Sequence, residues 1–386
     1  MGQQSIDRRA FIQGSAVAVA VAGAGAVLGA ASPAQAATGE RHGPPRKLKM
    51  YVGTQRRAAT AAVLQEFTRH GVTHWVGYPP APPLAEGRGY WLPSEVEQTR
   101  EFAEANGVTL DMVALPFLTS SHIDGDSRPA IMLAKSPERD RDIDDIHKMI
   151  EACAIAGVPA FKYNMSLLGV LRTGEVSGRG GSVYGQFRAA DLPKNEPLTR
   201  AGVVDADSFW ERIDYFVQRV IPVAHQFKVR AACHPQDPGT PPGGYRGIEN
   251  VLSVPGGKGL FKFLSLHKSP YHGLNLCIGT LAEMLWDPPR EIYDIVRRLA
   301  RTRRIFNIHL RNIIGRRDDF MEVWPDEGDI DHARIIRILA EEDYSYNVDP
   351  DHIPDHPDDP GSKQGYAHGY GYLRALMQAV ESTHGR

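Results

Sequence analysis

From residue 47 onward, short apolar or β-branched runs alternate with longer stretches whose apolar positions recur every three or four residues. The short runs predict strands over residues 48–52, 75–78, 110–115, 160–164, 229–234, 274–278, 305–310 and 346–349. The longer stretches predict helices over residues 57–70, 93–106, 142–156, 208–227, 260–266, 290–301, 330–341 and 370–380. Within residues 330–341, Ile330, Ala333, Ile336 and Leu339 share one face, as do Leu373, Leu376, Met377 and Val380 further on. A helix with one apolar face after each strand is the pattern of a closed parallel barrel. The expected fold is therefore α/β, a single (β/α)8 TIM barrel over residues 47–386. An open doubly wound sheet is the competing arrangement, but no Gly-x-Gly-x-x-Gly turn follows the first strand. Residues 116–136 and 166–207 are rich in Gly, Ser and Pro, and read as long loops over the catalytic face, lids or binding loops.

The N-terminus changes the picture. A paired arginine, Arg8-Arg9, precedes an Ala/Gly/Val run from about residue 14 to 31, and Ala34-Gln35-Ala36 offers a small-x-small cleavage site. This is the pattern of a twin-arginine export signal over residues 1–36, followed by a linker over residues 37–46. It predicts a protein exported to the periplasm or beyond, free of the membrane once the signal is cleaved. A net charge of -2 gives no reason to expect nucleic acid or an anionic membrane as a partner. Three cysteines at wide spacing, Cys153, Cys233 and Cys277, do not make a disulfide framework.

Metal-type residues gather at the ends of the later strands. His234 ends the fifth, Cys277 the sixth and His309 the seventh, while Asp351 and His352 follow the eighth. In a parallel barrel these ends converge on one mouth, so two imidazoles, a thiolate and a carboxylate can surround one divalent cation. Taken singly, each has a simpler reading as a packed strand histidine, a small buried hydrophobe or a turn with a cap. Their position on consecutive strands favours the metal. Cys233 precedes His234, so the two side chains point to opposite faces and Cys233 belongs to the packing, as does Cys153 in its helix.

At these residues the chain resembles the mannonate dehydratases of the xylose-isomerase-like barrel group, most clearly from His234 onward. That family's His-Pro-x-Asp-Pro segment is matched here by His234-Pro235-Gln236-Asp237-Pro238, with Gln236 where Asp is usual. Its Cys-x-Gly-Thr, His-x-Arg-Asn and Pro-Asp-His segments are matched by Cys277 to Thr280, His309 to Asn312 and Pro350 to His352. A shorter echo is Asn164 followed by Arg172-Thr173.

The resemblance implies that His234, Cys277, His309 and Asp351 hold manganese or ferrous iron, although ligand type alone would also suit zinc. It implies acid–base roles for His352 and Tyr366, with Asn164 at the substrate. Near a cation the phenol of Tyr366 would titrate below its usual value of about 10. Arg311 and Arg172 are the expected bidentate clamp on a substrate carboxylate. The expected reaction is dehydration of D-mannonate or a related sugar acid to the 2-keto-3-deoxy acid. A metal-dependent sugar isomerase or epimerase and a non-catalytic exported sugar-acid-binding protein are the alternatives. The expected partner is a small sugar acid, and a homo-oligomer is compatible with the sequence.

Overall fold

The structure, a computed structural model, describes residues 47–384. The expected export signal and linker lie outside the described residues.

The barrel strands are β1 (Tyr51–Val52), β2 (His74–Gly77), β3 (Thr109–Ala114) and β4 (Ala160–Asn164). A hairpin, β5 (Gly174–Ser177) and β6 (Val183–Arg188), comes before β7 (Arg230–His234), β8 (His272–Cys277) and β9 (Ile305–Leu310). Then follow β10 (Asn312–Arg316), β11 (Asp319–Val323) and β12 (Asn347–Pro350). Among the described residues, eight strands form one parallel sheet in the order β1-β12-β9-β8-β7-β4-β3-β2. Thr54, just beyond β1, bridges Trp75 of β2 and brings the ends of the sheet together into a nearly closed barrel.

Strand direction and side-chain alternation divide the interior from the helix layer. Val76, Met112, Ala160, Ala232 and Phe306 form an apolar plug inside the barrel. Further along the same strands the inward positions become polar, with Lys162 and Asn164 on β4 and His234 on β7. The outward positions join a much larger core with the helices, and Cys233 and Cys153 both lie in it. Among the described residues no helix is long and apolar enough to cross a membrane.

The helix boundaries follow from caps and close approaches. The helix Ala206–Phe227 starts where Asp205 accepts the Ser208 N–H at 2.8 Å, and it buries Phe209, Ile213, Phe216 and Val220. Asp331 caps Arg334 in the same way, so that helix begins at His332 rather than at Ile330. The last helix, Lys363–Thr383, begins before the expected residue 370. The glycines that weakened its helical signal are needed for contact. A Cβ on Gly365 would lie 2.7 Å from Ile353, and one on Gly369 would lie 3.0 Å from Pro350. This approach carries Tyr366, in the helix's first turns, toward the barrel mouth.

The connection over residues 166–207, expected as a loop, contains the β5–β6 hairpin. Together with β10 and β11 it forms a four-stranded antiparallel sheet in the order β10-β11-β6-β5. Val183 also donates its N–H to the Asp355 carbonyl at 2.8 Å, tying the hairpin to the segment after β12.

Two buried histidines outside the mouth make stability depend on pH. Burial lowers His272 and His332 from the ordinary 6.5 to about 4. Both fold as neutral imidazoles, so their contribution is present above the unfolded value and is lost as pH falls from about 6.5 to about 4. Each shift corresponds to about 3 kcal/mol. His332→Leu is expected to flatten the acid limb of a urea-midpoint profile over that window. A limb as steep as that of the unmodified protein would remove His332 from the account.

Candidate metal centre and its ionic shell

The strand ends bring His234, Cys277 and His309 together. One ligand atom from each lies within 4.8 Å of the others, and all three side chains are buried. Register explains the meeting, because Cys277 pairs with His309 across β8–β9 while Asn164 pairs with His234 across β4–β7. Asp351 completes the group, its Oδ2 lying 3.7 Å from Cys277 Sγ and 3.4 Å from His309 Nδ1.

The neighbouring groups suit a cation. His234 Nδ1 is 2.6 Å from the Pro235 carbonyl, which fixes the proton there and leaves Nε2 free to ligate. His309 Nε2 is 3.0 Å from Asn275 Nδ2, whereas its buried Nδ1 has no hydrogen-bond partner. Burial, with help from His309 and Lys162, holds His234 well below the ordinary imidazole range, in its neutral form. Burial opposes ionisation of Asp351, but His352, His309 and Arg311 overcome it and hold the carboxyl well below its usual range. Burial pushes the Cys277 thiol up, so its thiolate needs a compensating positive charge. A neutral His234 imidazole, the His309 ring with its unpartnered Nδ1, an ionised carboxylate and a thiol awaiting a cation therefore fit a divalent ion.

Beside this group lies a dense ionic network. Arg311 pairs with Asp237 at 2.7 Å and with Glu283 and Glu322 at 2.8 Å, and its side chain is 0% exposed. Arg172 pairs with Asp237 at 3.0 Å and Glu322 at 2.5 Å. Thr280 donates to Asp237 and accepts from Arg311. Gly279 leaves the room, since a Cβ there would lie 2.4 Å from Arg311 Nε. His352, in the left-handed region at φ 44, places Nδ1 2.5 Å from Glu322 Oε1. Burial works to lower the His352 pKa, but Asp351 and Glu322 outweigh it and the net shift is upward.

The expected site residues thus fall into two sets. His234, Cys277, His309 and Asp351 converge, and His352 abuts them with Nε2 4.0 Å from Asp351 Oδ2. Tyr366 stands at the rim, its ring 4.7 Å from the Arg56 guanidinium. Its environment raises its pKa, through burial first and the Asp351 charge next, against the lowering expected beside a cation. Arg311 and Arg172 also reach the mouth, but their guanidiniums are committed to protein carboxylates. Asn164 lines a separate cavity with Lys162.

Asp237, Glu283, Glu322, Lys162 and Gln55 escaped the sequence reading. Asp237 stood inside a motif already singled out, and Lys162 is a charge at an inward position of an apolar strand. Glu322 had no such signal, because it arrives on β11 of the unexpected second sheet. Replacing Arg311 would leave three buried carboxylates without their main partner. Arg311→Met is expected to cost about 3–5 kcal/mol of stability. A change below about 1 kcal/mol, the size of an exposed pair, would show the network to be solvated.

A family model described as D-mannonate dehydratase (UxuA) matches residues 189–385, about half of the chain. A mannonate dehydratase of Streptococcus uberis is 28% identical over 290 residues, covering 68% of this chain and 78% of its own. One from Streptococcus equi subsp. zooepidemicus is 30% identical over 151 residues, 39% of each chain. The crystal structure of mannonate dehydratase from Streptococcus suis serotype 2 superposes with a TM-score of 0.73 at 22% identity, covering 86% of this chain and 96% of that one. A xylose isomerase domain protein from Planctomyces limnophilus superposes at 0.55 with 14% identity, covering 87% and 99%. These two likenesses concern the fold.

Proposed function

Because this chain belongs to the D-mannonate dehydratase family, we propose that it removes water from D-mannonate, or a closely related sugar acid, at the metal centre. The protein is an enzyme, a hydro-lyase acting on a sugar acid. The reading rests on the convergence of His234, Cys277, His309 and Asp351 with a titratable His352 at their edge. The reaction takes the proton from the carbon beside the carboxylate and expels the neighbouring hydroxyl, leaving a 2-keto-3-deoxy acid and water. When bound, a divalent cation supplies Lewis-acid stabilisation of the negative charge that develops on the carboxylate.

The chain's own groups do the rest. His352 and Tyr366 divide the two proton transfers, one removing the α-proton and the other protonating the departing hydroxide. Glu322 orients the imidazole through Nδ1, leaving Nε2 toward the metal group. Arg311 and Arg172 hold Glu322 and Asp237 in place. Manganese or ferrous iron suits the site better than zinc. His234, Cys277, His309 and Asp351 would hold the ion, and an ion accepting further oxygen ligands would leave room for the substrate.

The test is anaerobic incubation of the metal-loaded protein with D-mannonate and manganese or ferrous ion, reading the 2-keto-3-deoxy acid. Chelator-sensitive product is the expected result. A demonstrably loaded protein that only interconverts sugars, or does nothing, would overturn the reading. We further propose that residues 1–36 export the folded, loaded barrel (residues 47–386), supported by Arg8-Arg9 and Ala34-Gln35-Ala36. Lysines in place of Arg8 and Arg9 should keep the protein in the cytoplasmic fraction.

A further inference from the structure

A sugar acid brings a carboxylate into the mouth, and the two arginines expected to receive it are already engaged. Arg311 and Arg172 together face Asp237, Glu283 and Glu322, so that side of the mouth holds more carboxylates than guanidiniums. A further carboxylate there would compete with Asp237 and Glu322 for the same guanidiniums.

β4, the neighbour of the strand that carries His234, offers a cation that the proposed mechanism does not use. Lys162 lies two residues before Asn164 and so shares its inward direction. Its Nζ donates to Gln55 Oε1 at 2.6 Å, and Gln55 Nε2 donates to Asp351 Oδ1 at 3.1 Å. The ammonium is therefore one amide group away from the metal-type carboxylate. An ammonium has three protons to donate, and this bond accounts for one of them. Among the described residues Lys162 makes no ion pair. Burial lowers its pKa, opposed by Asp349, Asp351 and Cys277.

Lys162 and Asn164 line a cavity of about 290 Å³ together with Arg57, Tyr78 and Trp91. Asn164 in its wall pairs with His234 across β4–β7, and the Lys162–Gln55–Asp351 chain links the cavity to the metal group. Arg57 stands exposed at its edge, its guanidinium 4.2 Å from the Tyr78 ring centre. We infer that Lys162 is the receiving cation for the substrate carboxylate, with Asn164 beside it and Arg57 guarding the entrance, in the cavity at the end of β4. The inference rests on the sugar-acid reading above and makes Lys162 the residue that selects acids over neutral sugars.

The test uses the manganese-loaded protein and two probes without a leaving hydroxyl, 3-deoxy-D-mannonate and its uncharged amide, titrated by calorimetry. The unmodified protein should prefer the acid. Lys162→Met should weaken binding of the acid on the order of 10²-fold, as for loss of a charge-assisted contact, with the amide little changed. Lys162→Arg should restore part of the preference, and manganese content should be unaltered in both variants. A Lys162→Met protein that keeps the acid preference overturns the inference, as does its loss in Arg172→Gln alone. If the unmodified protein dehydrates D-mannonate, that failure falls on Lys162 only. If it neither turns over nor prefers the acid, the sugar-acid reading fails with it.

Discussion

The Cys277→Ala protein is expected to lose its metal on desalting and to lose turnover on the order of 10³-fold or more, through the missing Lewis acid. Cys277 is 0% exposed and lies between His309 and Asp351, so no solvent ligand can replace its sulfur without rearrangement. Removing it also takes away the acceptor for the Thr280 N–H, at 3.3 Å, a loss of about 1 kcal/mol comparable with that of a helix cap. Stability and metal content should therefore separate. Elemental analysis should show little metal in a protein whose thermal transition lies only a few degrees below that of the metal-stripped unmodified protein. Metal retained at the level of the unmodified protein would mean that the histidines and Asp351 suffice, and that Cys277 is a packing residue.

The second large effect is expected at His352. His352→Asn should lower kcat by about 10²–10⁴-fold, the usual worth of a positioned proton carrier, while the metal stays bound. The imidazole is held by Glu322 and lies beside the ligand group without belonging to it, so its removal should leave affinity for the ion intact. Tyr366→Phe should act on the same reaction. If the two side chains work as one unit, the double variant will be little worse than either single one. Exchange of the substrate's α-proton in D₂O separates their roles. The variant that still exchanges the proton without forming product lacks the acid, and the one that does neither lacks the base. A His352→Asn protein with normal turnover would leave His352 a mere partner of Glu322.

The pattern along the chain carries the barrel well because each of its elements is locally complete. A strand such as residues 305–310 is short, mostly apolar and bounded by arginines, and each following helix has a single buried face. The four candidate ligands were legible for the same reason, since each ends or directly follows a strand and parallel strands all point their ends to one mouth. Less legible were elements that exist only through distant pairing. The β5–β6 hairpin carries Gly178, Gly180 and Gly181 in its turn and reads as a loop, and only its pairing with β11 makes it part of a sheet.

What the sequence determined by itself was the barrel, the packing role of Cys153 and Cys233, and the gathering of four candidate donors at one mouth. These follow from periodicity and parity, which act over a few residues. Only the tertiary structure decided how the charges are shared. Arg311 and Arg172 look in sequence like cations waiting for a substrate, but β11 delivers Glu322 and the turn after β7 delivers Asp237 to meet them. Lys162 looks like an odd charge in an apolar strand, yet it faces a cavity with Asn164 and reaches Asp351 through Gln55. Electrostatic pairing depends on distance through space and on removal from water, and neither is written in residue order.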